Sequence, residues 1–248
     1  MSGHNKWSKI KNVKAKNEAV ISKLYTKIGR EIAVAVKEGG GPDPSLNVRL
    51  KNVIAKAKSV NMPNDNISRS IKKASGEGIN INYESIIYEG YGPAGSAVIV
   101  YALTDNKNRT ASDVRHAFDK FGGSLGSTNC VTYLFTQKGI LIIGKGQGLT
   151  EDDIMMHTIE SGADDAEILD SYYQISTSPE NFENVKEYFE NKNIPLDSTE
   201  IEMIPSNYID LPTDKLKTFN KLLESLEDSD DVQEVYHNVN LPEENDEE

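Results

Sequence analysis

The spacing of apolar residues changes period once along the chain, and that change limits the fold more than any other feature. Up to Gly76 apolar residues recur at i, i+3, i+4; from residue 82 they gather into short strand-like runs separated by helical stretches. Ile21, Leu24, Tyr25, Ile28, Ile32, Ala35 and Val36 line one face of a first helix, which Gly39-Gly40-Gly41-Pro42 terminates. A second helix follows Asp43-Pro44-Ser45, with Leu46, Leu50, Val53, Ile54 and Ala57 inward. A third begins near Pro63, where proline suits the first helical position, and runs through Ile67, Ile71 and Ala74 to Gly76. The stretch before residue 17 has only Ile10 and Val13 as apolar anchors and reads as an arm that orders on binding.

Beyond residue 82, strands are predicted over 84–91 and 97–103, with a helix over about 110–121. Residues 131–136 and 139–143 carry a hairpin signal around Gln137-Lys138-Gly139. Then come a helix at 151–161, strands near 166–176, a helix at 179–191 and a strand at 199–205, followed by a helix at 213–227 and a strand at 232–237. The segment 131–205 makes a β-β-α-β-β-α-β run close to a ferredoxin-like unit, and the elements of 82–121 find their second half only in 206–238. The expected fold is therefore an α+β multidomain chain: an N-terminal three-helix bundle followed by two ferredoxin-like α+β domains, one inserted in the other. The boundaries are 1–80 for the basic helical domain with its arm, 81–130 plus 206–240 for one acidic domain and 131–205 for the inserted one. The acidic tail 241–248 is expected to be disordered.

Charge follows the same partition. The formal net charge is -12, yet residues 1–80 hold 16 Lys and Arg against six acids (+10), and the remainder holds 11 against 33 (-22). Such asymmetry points to a polyanionic partner. At about 100° per residue, Lys16, Lys23, Lys27, Arg30 and Lys37 fall within roughly 80° of one another, opposite the apolar face of the first helix. Lysines Lys6, Lys9, Lys11, Lys14 and Lys16 surround the single tryptophan, Trp7, a flat group suited to stacking on an exposed base. Lys6, Trp7, Lys9, Lys11, Lys14, Lys16, Lys23, Lys27 and Arg30 are the expected nucleic-acid contacts. The alternative is a solvated, solubilising helix face. The third helix does not read as the recognition helix of a helix-turn-helix.

Chemistry-bearing patterns are few. GKGQGLT at 144–150 follows a strand and precedes a helix, but it lacks the Walker spacing. The next residues, Glu151-Asp152-Asp153, would repel a phosphate, so it reads as a loop capped by Thr150. The four histidines are scattered without metal-ligand spacing, Cys130 has no adjacent base, and no cofactor or metal is expected. In LTDNKNRTASDVR (103–115), Asn108 or Thr110 can cap the next helix. Lys107, Asn108, Arg109 and Arg115 make the same loop a candidate second contact; both readings stay open. One cysteine and no membrane-length apolar run fit a cytoplasmic protein without an internal disulfide.

Several stretches together carry a resemblance. SGHNKW, GREIAVAVKEGGGPDPSLN, NMPNDNI of 61–67, YEGYGPAG of 88–95, LTDNKNRT and FGGSLG of 121–126 resemble the YebC/PmpR family, which includes the mitochondrial translational activator of cytochrome c oxidase. The resemblance spans nearly the whole chain and implies three domains, the last inserted into the middle one. It further implies either a DNA-binding transcriptional regulator or a translation factor that contacts ribosomal RNA and relieves stalling on proline-rich sequences. It brings no catalytic residues. Ile21-Ser22 stand where members often carry further basic residues, Tyr25 stands for a usual phenylalanine, and Asn129-Cys130 for a common Gly-Ser pair. The expected partners are promoter DNA or rRNA and the ribosome through the N-terminal domain, with protein partners on the acidic domains and no membrane. The rival expectation is an adaptor whose acidic domains bind basic proteins.

Overall fold

In the computed structural model, residues 18–76, 82–146 and 148–241 are described, and three helices open them. These are α1 (Glu18–Glu38), α2 (Val48–Ser59) and α3 (Asn64–Ser75). Ile28, Ile32, Ala35 and Val36 of α1 meet Leu50 and Ala57 of α2 and Ile67 of α3 in one buried cluster. The turn between α1 and α2 is fixed by Asn47, which is 1% exposed. Its side-chain oxygen accepts from Leu50 N, while its amide donates to Ala35 O and Gly41 O, each at 2.8 Å. A Cβ on Gly39 would collide with the Asn47 amide, and Gly40 and Gly41 have φ of 103° and 111°. Two expectations change here. Leu46 is 79% exposed because α2 starts only after it, and Pro63 sits at the N-cap rather than at the first helical position.

The remaining residues build two four-stranded antiparallel sheets. The first contains β1 (Glu84–Tyr91), β2 (Ala97–Thr104), the short β3 (Ser124–Leu125) and, from the far end of the chain, β8 (Val232–His237), in the order β3-β1-β2-β8. Helices α4 (Lys107–Lys120) and α7 (Thr213–Glu227) cover one face. Val114, Ala117 and Phe118 of the one, with Phe219, Leu222, Leu223 and Leu226 of the other, pack on Val98 and Val100. This order is not ferredoxin-like. The tight β1–β2 pairing, register Glu84↔Thr104 to Tyr91↔Ala97, places consecutive strands side by side at the centre instead of splitting a β-α-β unit.

The second sheet comprises β4 (Phe135–Gly144), β5 (Asp165–Ile168), β6 (Tyr172–Thr177) and β7 (Ser198–Pro205) in the order β5-β6-β4-β7. Helices α5 (Glu151–Ser161) and α6 (Phe182–Asn191) pack against it through Ile154, Phe182, Val185 and Phe189. Here β6 does lie between β4 and β5, the split β-α-β arrangement. The expected hairpin at 131–143 is replaced by a 3-10 turn over Thr132–Leu134 and one continuous strand. Gly139 is not a turn residue. It pairs with Thr177 on one side and Ile201 on the other, and the Phe182 ring lies where its Cβ would stand.

The chain forms two compact units: Phe135–Ser206 makes one, while the described residues before Phe135 and after Ser206 make the other. The three-helix bundle and the first sheet thus belong to one unit. No helix among the described residues is long and apolar enough to cross a membrane.

Candidate nucleic-acid interface

The sequence-derived contact residues separate into three groups. Lys6, Trp7, Lys9, Lys11, Lys14 and Lys16 lie outside the described residues. Lys23, Lys27 and Arg30 lie on α1, but they face the acidic end of α7 and the loop before β8. Lys23 Nζ donates to Asp228 Oδ1 at 2.9 Å, with both side chains well exposed. Lys27 Nζ donates to the Glu227 carbonyl at 2.7 Å, at the negative end of the α7 dipole. Burial pushes the Lys27 ammonium pKa below its ordinary value, against the opposing pull of Glu227, Glu234 and Asp230.

Arg30 enters deepest. Its Nη1 donates to Asp231 Oδ1 and, at 3.1 Å, to Leu103 O at the end of β2. Its guanidinium also lies 5.5 Å from the Tyr83 ring centroid. Asp231 is 4% exposed and acts as a hub. Arg109 Nη2 donates to its Oδ2 at 2.7 Å, and the hydroxyls of Thr110 and Thr104 lie 2.7 and 3.2 Å from the same oxygen. Burial alone would raise this carboxyl, but hydrogen bonds from Arg109, Thr110 and Arg30, with the Arg30 charge, outweigh it and hold the pKa at about 2. The same pairing raises the Arg109 pKa further above its ordinary value.

The hub draws in one residue of the candidate second contact, Arg109. Arg109 is shared between Asp231 and, at 2.8 Å, Asp105, and Lys107 pairs with Glu84. Asn108 and Arg115 remain exposed. The helix cap is neither Asn108 nor Thr110. Asn106 accepts from Arg109 N at 3.1 Å, which frees Thr110 to turn inward to Asp231. Sequence reasoning missed Asp231 because it sits in the run Glu227-Asp228-Ser229-Asp230-Asp231, where one buried acid looks like its solvated neighbours. Only pairing across more than 100 residues distinguishes it.

Beyond the hub, the helical bundle still presents cations to solvent. Lys37, Lys51, Lys58, Arg69, Lys72 and Lys73 are exposed on α1 to α3. The phosphate-loop reading of 144–150 finds no geometric support. Asp153 Oδ2 accepts from Thr150 N at 2.9 Å and Asp153 N donates to Thr150 Oγ1 at 3.2 Å, so this helix start is capped by its own carboxylate. Burial raises the Cys130 thiol, with the Glu89 charge adding to it, the opposite of an activated nucleophile. Among the described residues no three His, Cys, Asp or Glu side chains are grouped to hold a metal.

A basic helical domain latched through buried ion pairs to an antiparallel α+β sheet, with a second such sheet unit in the same chain, defines a class of α+β multidomain proteins. Residues 5–77 match the TACO1/YebC protein N-terminal domain, and residues 83–239 match the TACO1/YebC second and third domain. The chain belongs to the TACO1/YebC family. It is 54% identical over 239 residues to a "Probable transcriptional regulatory protein" of Acetivibrio thermocellus, covering 96% of this chain and 98% of the relative. A protein of the same description from Thermoanaerobacter pseudethanolicus is 48% identical over 247 residues, the full length of both. A conserved hypothetical protein of Aquifex aeolicus, known from its crystal structure, superposes with a TM-score of 0.83 at 42% identity, covering 94% of this chain and 96% of that one.

Proposed function

We propose that the protein is a non-enzymatic regulator of gene expression that binds nucleic acid through its N-terminal domain. The observation that carries this reading is the separation of charge, +10 in residues 1–80 against -22 elsewhere, with Lys51, Lys58, Arg69, Lys72 and Lys73 exposed on the bundle while Lys23, Lys27 and Arg30 engage the acidic end of α7 and the loop before β8. The working surface is then the arm with Trp7 and its lysines, together with Lys51, Lys58, Arg69 and Lys72. Lys27 and Arg30 position the domain instead of contacting phosphate. Each phosphate neutralised releases counterions and contributes roughly 0.7–0.9 to the salt slope of binding.

The relatives' descriptions support a regulatory role, and DNA is the target those descriptions favour. A tryptophan among lysines suits unstacked bases, which structured RNA offers more often than duplex DNA, so rRNA or the ribosome is the preferred target here. Relief of ribosome stalling belongs to this reading. In-cell crosslinking followed by sequencing of the attached nucleic acid tests it: rRNA recovery supports the RNA form, and promoter DNA without rRNA supports the transcriptional form. Recovery of neither supports a protein adaptor. That second reading is favoured by one observation, the exposed Met155, Met156 and Ile159 on α5, of which Ile159 is 77% exposed.

A further inference from the structure

The second sheet unit keeps an apolar face open to solvent. Met155, Met156 and Ile159 of α5 are 43%, 49% and 77% exposed. At about 100° per residue these positions fall within roughly 100° of arc, turned away from the buried Ile154 and Thr158. On β5 a period of two puts the exposed Ile168 on the same face as Ala166, which packs against the core cluster of Ile154. Helix α5 packs beside β5, the edge strand, and both belong to the unit Phe135–Ser206. Single apolar residues are ordinary on a surface; a group of them on one helix face marks an interaction site.

The charge around this face says what can cover it. From Gly146 to Val185 the chain has ten Asp and Glu and not one Lys or Arg. Asp152 stands one turn before Met155 and Met156, and Glu160 one turn after Met156, so carboxylates bracket the apolar positions along the helix. Asp152 and Asp165 are exposed. The nearest cations lie at the margins: Lys145 Nζ is 3.7 Å from Glu151 and Lys192 Nζ 3.7 Å from Glu160, both in solvent-exposed pairs. A field of one sign repels nucleic acid, and it repels an identical face on a second copy of the chain. It attracts a basic surface, and the methionines suit a helix whose side chains they can pack around.

We propose that the α5 face docks a basic amphipathic helix of another protein. Its apolar stripe lies on Met155, Met156 and Ile159 and its Lys or Arg flanks meet Asp152 and Glu160. The inference rests on the protein-partner reading above, which it narrows to one face and one partner chemistry. It is independent of what the N-terminal domain binds.

The test is fluorescence anisotropy with a labelled peptide of about 18 residues, five helical turns of leucine and lysine in an amphipathic pattern. A scrambled peptide of the same composition is the control, and the full chain is compared with Met155→Gln/Ile159→Gln and Asp152→Lys. Glutamine keeps helix propensity at these exposed positions, so the double variant should melt at the wild-type temperature. Wild type is expected to bind the ordered peptide about ten-fold or more tighter than the scrambled one. The double variant should lose a similar factor through lost apolar burial, and Asp152→Lys should weaken binding and flatten its salt dependence. Equal affinity for ordered and scrambled peptides, or wild-type affinity in the double variant, overturns the face. If lysozyme, a basic folded protein, still binds wild type and variants alike, the broader protein-partner reading stands without it. Binding of neither peptide nor lysozyme at low salt overturns both. Sedimentation of wild type as a dimer that the double variant converts to monomer assigns the face to a second copy and overturns the proposal.

Discussion

Replacing Asp231 by asparagine keeps the shape of the side chain and removes its charge. The two carboxylate oxygens have separate duties: Oδ1 receives Arg30, and Oδ2 receives Arg109 with the hydroxyls of Thr110 and Thr104 near it. An amide has one oxygen, so whichever way it turns, an NH2 group faces a guanidinium. Arg30, whose side chain is 15% exposed, is left without its counter-charge. Breaking one side of a buried ion pair costs about 3–5 kcal/mol, because the partner stays desolvated. Asp228→Asn is the matched control. Its partner Lys23 and its own side chain are 44% and 75% exposed, and such pairs contribute about 1 kcal/mol or less. Urea unfolding followed by far-UV circular dichroism, with limited proteolysis between residues 76 and 84 as a report on bundle docking, separates the two. If Asp231→Asn lies within about 1 kcal/mol of wild type, or matches Asp228→Asn, the hub is not what holds the bundle on the sheet.

Three further outcomes are expected, one at the hub and two elsewhere in the fold. The Asp231 carboxyl is depressed to about 2 when folded against roughly 3.9 unfolded, so its stabilisation is complete above about pH 4 and is lost as pH falls towards 2. Acid titration of unfolding should show this loss in wild type and not in Asp231→Asn. Gly139→Val drives a branched side chain into Phe182 and should destabilise the second sheet unit by at least about 1–3 kcal/mol, read by thermal unfolding; an unchanged melting temperature refutes the close packing. Asn47→Ala removes one cap acceptor and two donors at a buried turn and should cost about 1–3 kcal/mol, whereas a neutral result would mean that the glycines alone hold that turn.

Elements built on local periodicity were legible from sequence. The bounds of β1, α5, α7 and β8 agree with the expected ranges because each has a clear apolar period and an unambiguous stop. The 131–143 hairpin failed because a glycine after a polar pair is also what a strand shows where an aromatic ring packs on its backbone. Sheet order in the first unit was illegible for a different reason: β8 joins β2 from more than 120 residues away, and nothing local marks the pairing. Lys23, Lys27 and Arg30 do share one face of α1, a stripe legible from spacing alone. Its opposite face in space, the acidic end of α7, was not visible, so residues that latch the bundle were grouped with those open to solvent. Charge counts show that cations and anions are segregated; only the fold shows which of them have already found each other.

In the proposed function the open cations of the N-terminal domain, not the latched ones, bind nucleic acid. Reversing Lys9, Lys14, Lys58 and Lys72 to glutamate spares Lys27 and Arg30 and so leaves the latch intact. Sedimentation of this variant with ribosomes, alongside its salt-dependent binding to single-stranded RNA and to duplex DNA, measures the claim directly. An intact fold, loss of nucleic-acid association and a much shallower salt slope than wild type are expected. Unchanged, salt-insensitive association with the same partners would contradict it.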